Sequence, residues 1–368
     1  MKLRTLKSVA LATLSAAVLM PFAGRALAHE SLDHLQPAPR DALSVTQAVK
    51  SGSGTNVYES VPMWCQMPDQ RQTVGATHGG IVVDKKGNIY FSMDGPAEGP
   101  GILVYAPDGK FLRGMVGKEF LGCHGLFIKE ENGEEFIYAA HLKGAQAVKF
   151  KLDGTVVWTI PLPKESGKYT DPKQYKPTGI TVGPNGDIFV VDGYGQNWVH
   201  QWDKDRKYIR SFGGRITDDK KPEPGKFKTC HGIGLDTRGE KPLLLICDRE
   251  NRRLQHFDLD GNFVAVITEG LRRPCSVSFH GKRVAIAELE GRVAIIDETN
   301  KVVSAIGDNP DKTQWAKFPV KPGDMQEGVF TAPHGVSFDH EGNLYVMDWN
   351  QSGRVSKLNW LKQTAAAK

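Results

Sequence analysis

Six segments of this chain open alike, with a small or polar turn that runs into a short apolar strand. They read T-H-G-G-I-V-V-D from Thr77, C-H-G-L-F-I from Cys123, P-T-G-I-T-V from Pro177, C-H-G-I-G-L-D from Cys230, P-C-S-V-S-F from Pro274 and P-H-G-V-S-F-D from Pro333. A turn follows, as at Lys86-Gly87-Asn88, Asn185-Gly186-Asp187 and Glu341-Gly342-Asn343. A second apolar strand comes next, such as Ile89-Tyr90-Phe91 or Leu344-Tyr345-Val346. A polar residue closes it: Asp94, His141, Asp192, Asp248, Glu288 or Asp348. Third strands follow, as in Val199 to Trp202, Leu254 to Phe257 and Val355 to Leu358. Internal self-similarity constrains architecture more than any other feature, because one such unit cannot bury its faces alone.

Repeats of roughly 45–60 residues with three or four antiparallel strands are the blades of a propeller. The expected fold is therefore all-β, a six-bladed β-propeller. An open sandwich or two β domains would not explain the regular recurrence, and no linker separates two halves. The last repeat stops after three strands near Leu358, so the segment around Tyr58 to Met63 is expected to supply its outer strand and close the ring. The organisation expected is a signal peptide over 1–28, an extended arm over 29–56, the propeller over 57–361 and a frayed tail over 362–368. Ile216 to Phe227, charged and proline-rich, reads as a surface loop.

Met1 to Lys7 is short and basic, Ser8 to Gly24 is small and apolar, and Arg25-Ala26-Leu27-Ala28 offers an A-x-A-like cleavage site before His29. That order describes a secretory signal peptide and implies a periplasmic or secreted protein. No later stretch is apolar for long enough to cross a bilayer as a helix. The chain carries 47 basic and 42 acidic residues; removing the four basic residues of positions 1–28 reduces the excess from five to one. With no compact basic tract, nucleic acid is not an expected partner. The five cysteines, Cys65, Cys123, Cys230, Cys247 and Cys275, are odd in number and form no C-x-x-C pair, so at least one stays outside any intramolecular disulfide.

Innermost strands line the channel of a propeller, so equivalent positions form a ring about its axis. In blade order that position holds His78, His124, Thr178, His231, Cys275 and His334. His124, His231 and His334 fall on alternate blades, related by thirds of a turn, and can converge on one ion. Three imidazoles with a fourth position open are the donor pattern of a catalytic zinc site. The competing reading is that each histidine merely satisfies hydrogen bonds at a strand start. His78, Thr178 and Cys275 are expected to line the pocket, with His78 or Cys275 as a conceivable fourth ligand. Cys123 and Cys230 precede two of the histidines and should pack between blades, since neighbouring strand residues point to opposite sides.

At these residues the sequence resembles the peptidyl-α-hydroxyglycine α-amidating lyases among the NHL-repeat propellers, from about Thr73 to Leu358. The matching motifs are Leu121 to Leu126, Val191-Asp192-Gly193-Tyr194, Cys247 to Arg253 and Ala332-Pro333-His334. The resemblance implies zinc held by His124, His231 and His334, Tyr194 as catalytic base or ligand, and Arg249 at the active site. It implies cleavage of a carbinolamide into an amide and glyoxylate, on a small-molecule or peptide-derived substrate. Two departures stand out. The family's first-blade arginine has no counterpart in Ser92-Met93-Asp94-Gly95-Pro96, and Gly335 replaces an aspartate linked to structural calcium. Zinc therefore transfers better than calcium. The alternatives are a metal-dependent hydrolase of lactonase type, and a non-catalytic propeller that binds a protein partner, since fold does not fix function.

Overall fold

The computed structural model describes residues 47–67 and 73–362. The expected signal peptide, most of the arm and all but the first residue of the tail lie outside the described residues. Six antiparallel sheets make up the structure, five with four strands and one with five. Blade 1 runs Ile81–Val83, Ile89–Ser92, Ile102–Tyr105 and Phe111–Met115. Blades 2 to 5 begin with Cys123–Glu131, Gly179–Val182, Cys230–Asp236 and Pro274–His280. Blade 6 consists of Pro333–Phe338, Leu344–Asp348 and Arg354–Trp360, and its next strand is Asn56–Val61 from the other end of the chain. Tyr58 pairs with Trp360 and Val61 with Lys357, which closes the ring where the sequence places the closure. Lys50–Ser53, inside the stretch read as an arm, adds a fifth strand by pairing with Asn56–Val61.

The core is divided among the blade junctions. Six apolar clusters each join two neighbouring blades, such as Ile81, Phe91 and Leu103 of blade 1 with Tyr345 and Met347 of blade 6. Strands inside a blade are therefore covered on both faces. Ile89–Ser92 and Ile188–Val191 are buried at every position, which is why they read as continuous apolar runs instead of alternating. Each large side chain so buried contributes about 1.5–3 kcal/mol. Outer strands are half exposed, and they carry Leu112, Val157 and Val264 on the rim. Cys123 and Cys230 pack into junction clusters as expected. All five cysteines are free thiols. The loop from Ile216 to Phe227 is mostly exposed, but its two end residues are buried.

Innermost strands come together around the axis, each against the next, from blade 1 through blade 6 and back. Four of them are irregular at their start. The pairing register shifts between Cys123 and Gly125, Cys230 and Ile233, Pro274 and Ser276, and Pro333 and Gly335. A bulge of this kind leaves a residue out of the ladder and re-aims its side chain. The residues so released are His124, His231, Cys275 and His334. His78 and Thr178 lie just before the first paired residues of blades 1 and 3.

Candidate metal centre

Four histidines meet at the axis. Ring centroids are 4.6 Å apart for His78–His124, 4.6 Å for His124–His231 and 4.5 Å for His231–His334. They are 4.5 Å apart for His78–His334 and 4.9 Å for His124–His334. All four are buried to within a few per cent. The expected trio is present, and His78, expected only to line the pocket, stands among its members.

The glycine after each ring histidine has a physical reason. A Cβ on Gly125 would lie 2.6 Å from the Thr178 carbonyl oxygen, and one on Gly232 would lie 2.4 Å from that of Cys275. Only glycine lets the next blade's backbone come this near. The same two carbonyls receive the histidine rings. His124 Nδ1 donates to Thr178 O at 2.7 Å, and His231 Nδ1 donates to Cys275 O at 2.8 Å. A carbonyl only accepts, so each Nδ1 carries the proton and each Nε2 presents a lone pair inward.

Those lone pairs converge on Tyr194. Its Oη lies 3.0 Å from His231 Nε2, 3.3 Å from His78 Nε2 and 3.4 Å from His124 Nε2. A phenol has one proton and can serve one of these nitrogens at a time. The other nitrogens then face an oxygen lone pair. Both ring nitrogens of His334 are buried with no hydrogen-bond partner among the described residues. Burial holds the imidazoles of His334 and His231 neutral, well below their ordinary pKa. The nearby histidines and Arg249 push the same way. Converging neutral imidazoles, one of them with no partner for either nitrogen, are what a borderline metal ion takes as donors. Among the described residues, two sets of donor atoms lie within 4.8 Å of one another: His78, His124 and His334, and His231, Cys275 and His334. The trio expected from alternate blades is thus divided between two sets that share His334. Neither set offers the oxygen donors that calcium takes.

The remaining expected residues take distinct positions. Thr178 turns its hydroxyl into the backbone, donating to Cys230 O at 3.1 Å and accepting from Gly193 N at 3.2 Å. It fastens the turn that carries Tyr194 and contributes its carbonyl to His124. Burial lifts the Cys275 thiol to about 11 against the opposing charge of Arg249, so it stays protonated without a metal. Arg249 donates from Nη1 to Tyr194 Oη at 3.1 Å and from Nε to Glu250 at 2.9 Å. Glu250 is also held by Arg273. Burial raises the Tyr194 phenol above its ordinary range, and Arg249 pulls it back only partly.

Two residues escaped the sequence reading. Asp94 places Oδ2 3.3 Å from His78 Nδ1. Trp349 covers the cluster, 5.5 Å from the His78 ring and 6.5 Å from that of His334. The signal for Trp349 was available: it follows the acid that ends the second strand of blade 6, as Arg249 follows Asp248 in blade 4.

Fold and site together define a six-bladed β-propeller with a buried cluster of histidines and a cysteine, side chains of the kinds that could hold a metal, at its axis. The chain is a relative of the peptidyl-α-hydroxyglycine α-amidating lyases. Peptidyl-α-hydroxyglycine α-amidating lyase 2 of Drosophila melanogaster is 26% identical over 289 residues, which cover 74% of this chain and 63% of that protein. A probable lyase of the same name from Caenorhabditis elegans is 27% identical over 166 residues, covering 45% and 42%. Peptidyl-glycine α-amidating monooxygenase A of Xenopus laevis is 30% identical over 178 residues, covering 47% of this chain. The chain matches only 18% of that monooxygenase's length and less than two thirds of either lyase. No protein-family model matches the chain. Among solved structures, a streptogramin B lyase superposes with a TM-score of 0.52 at 15% identity, covering 84% of this chain and 97% of that one. A gluconolactonase of Xanthomonas campestris gives 0.51 at 13% identity, covering 85% and 97%. These two show the shared propeller fold. No helix among the described residues is long and apolar enough to cross a membrane.

Proposed function

We propose that this chain is an exported, zinc-dependent lyase that cleaves the C–N bond of a hydroxylated amide, releasing an amide and an α-oxo acid. The observation that carries the reading is the convergence of Nε2 atoms from three blades on Tyr194 Oη. Its support outside the site is the kinship with amidating lyases. The signal-like N-terminus supports export.

His124, His231 and His334 would hold the ion, their tautomers set by the next blade's carbonyls in the first two cases. A bound zinc ion would supply a Lewis acid for the substrate hydroxyl. The reaction needs one proton to leave that hydroxyl and one to reach the departing nitrogen. Tyr194 is the proton carrier at the centre of the cluster. Arg249, 3.1 Å away, stabilises its phenolate form. Arg249 is shared with Glu250, so its charge acts on Tyr194 more than as a free clamp for a substrate carboxylate. Trp349 and the neighbouring histidines keep the centre dry, which strengthens each of these interactions.

Metal analysis of protein purified without chelator should find about one transition metal per chain. A peptide ending in α-hydroxyglycine should then release glyoxylate, and His231→Ala should abolish the release. Metal without glyoxylate, but with hydrolysis of a lactone panel, would move the chain to the hydrolases. A metal-free folded protein, unaffected by His231→Ala, would leave only a binding scaffold.

A further inference from the structure

We infer that His78 is a fourth imidazole donor at the axis and that Asp94 is its carboxylate partner, so that blade 1 holds the metal directly. This rests on the metal reading above and names two more residues of that centre.

His78 Nε2 approaches Tyr194 Oη at 3.3 Å, between the 3.0 Å of His231 and the 3.4 Å of His124. Nε2 atoms from blades 1, 2 and 4 thus aim at one point. The donor atoms of His78, His124 and His334 also lie within 4.8 Å of one another. The far side of each ring repeats one theme. His124 and His231 give Nδ1 to a backbone carbonyl, and His78 has Asp94 Oδ2 3.3 Å from its Nδ1. The two carbonyls hold the proton on Nδ1 and leave Nε2 for a metal, and the Asp94 carboxylate within 3.3 Å of His78 Nδ1 favours the same tautomer electrostatically. A carboxylate does this more strongly than a carbonyl. It raises the basicity of the ligating nitrogen and offsets part of the cation's charge.

The competing role for Asp94 is to fasten its own blade, as its counterparts do. Asp248, Glu288 and Asp348 are each closed by an arginine at or near the start of the third strand: Arg253, Arg292 and Arg354. In blade 1 the third strand, Ile102–Tyr105, starts without an arginine, and Asp94 Oδ2 lies 3.3 Å from Nδ1 of the axial His78. The acid of this repeat thus also reaches the axial histidine. Four imidazoles would fill the four-coordinate shell that zinc prefers, so a substrate oxygen must enter as a fifth donor or displace His78.

Cobalt(II) tests this, because its visible bands report donor number and type. Full-length protein stripped of metal would be titrated with cobalt(II), with near-ultraviolet circular dichroism checking the fold of each metal-free variant. Wild type should bind one ion. His78→Ala should shift the bands and weaken binding by more than tenfold, and Asp94→Asn should weaken it by about 10–100-fold with the bands nearly in place. If His78→Ala does not fold, His78→Gln and Asp94→Asn, which keep the side-chain volume, carry the same test. Wild-type affinity and bands in the variants of both positions overturn the inference while leaving the metal reading intact. A folded wild type that binds no cobalt(II) overturns the metal reading, and this inference with it.

Discussion

Blades 1 and 6 place an aspartate at the same repeat position and use it in opposite ways. Asp348 of blade 6 is fully buried, accepts the backbone N–H groups of Thr331 and Ala332, and is closed by Arg354. It fixes the loop that leads into its own innermost strand. Asp94 of blade 1 lies against His78 at the axis. Blade 3 gives a third answer: Asp192 accepts from Lys176 N, Gln196 N and the Tyr169 hydroxyl, with His200 beyond it. One position in a repeat thus meets an arginine in blade 6, an axial histidine in blade 1 and a tyrosine in blade 3. The repeat makes the fold, and its exceptions make the site.

The largest expected effect follows from that contrast. Asp348→Ala leaves two buried backbone donors, Thr331 N and Ala332 N, unsatisfied and should cost about 1–3 kcal/mol of stability for each in urea unfolding. Asp94→Asn should cost less, since the amide keeps the side-chain volume and an oxygen beside His78. Equal losses for the two variants would erase the distinction. Next comes His231→Ala, which should weaken zinc binding by more than the roughly 10–100-fold that loss of an outer partner costs. Its urea midpoint should fall far less than that of Asp348→Ala.

Gly232→Ala is intermediate. The added methyl would meet the Cys275 carbonyl at 2.4 Å, and overpacking of this kind costs about 1–3 kcal/mol. It should also turn His231 and weaken zinc binding, although no ligand has been changed. Undiminished zinc affinity would show that the carbonyl does not orient the ring.

A pH dependence also follows. His231 and His334 are held below their ordinary pKa by burial, and His200 falls to about 3 for the same reason. The unfolded chain takes up these protons near the ordinary imidazole pKa of about 6.5. Stability from these groups is therefore present above about 6.5 and is lost as pH falls from there toward 3. Asp192 works in the other direction. Burial raises it to about 7, so its contribution is lost as pH rises through that value. Urea midpoints of the metal-free protein should decline on the acid side of pH 6.5. Replacing His200 with Gln should make that decline shallower.

The blades, their order and the closing strand were legible because each repeat announces itself with a small residue, a turn and an apolar run. The histidine ring was legible for the same reason: a bulge at a fixed repeat position aims His124, His231 and His334 inward whatever the neighbouring sequence. Partners across blades were not. Asp94 stands sixteen residues after His78, and nothing in the residues between them shows that the two side chains meet. Thr178 reads as one more member of the ring, but its hydroxyl finds carbonyl partners and turns away. Lys50–Ser53 is polar and glycine-bearing, with no strand pattern of its own. It pairs because Asn56–Val61 leaves an open edge beside it.

Closure of blade 6 by both ends of the chain has a consequence for when the centre can exist. Synthesis delivers domains from the N-terminus, so Asn56–Val61 is made early and has only Lys50–Ser53 beside it until Arg354–Trp360 emerges. His334 belongs to that same last blade. The axial cluster is therefore completed only when the blade that carries His334 has been made, after the strands that carry His78, His124 and His231.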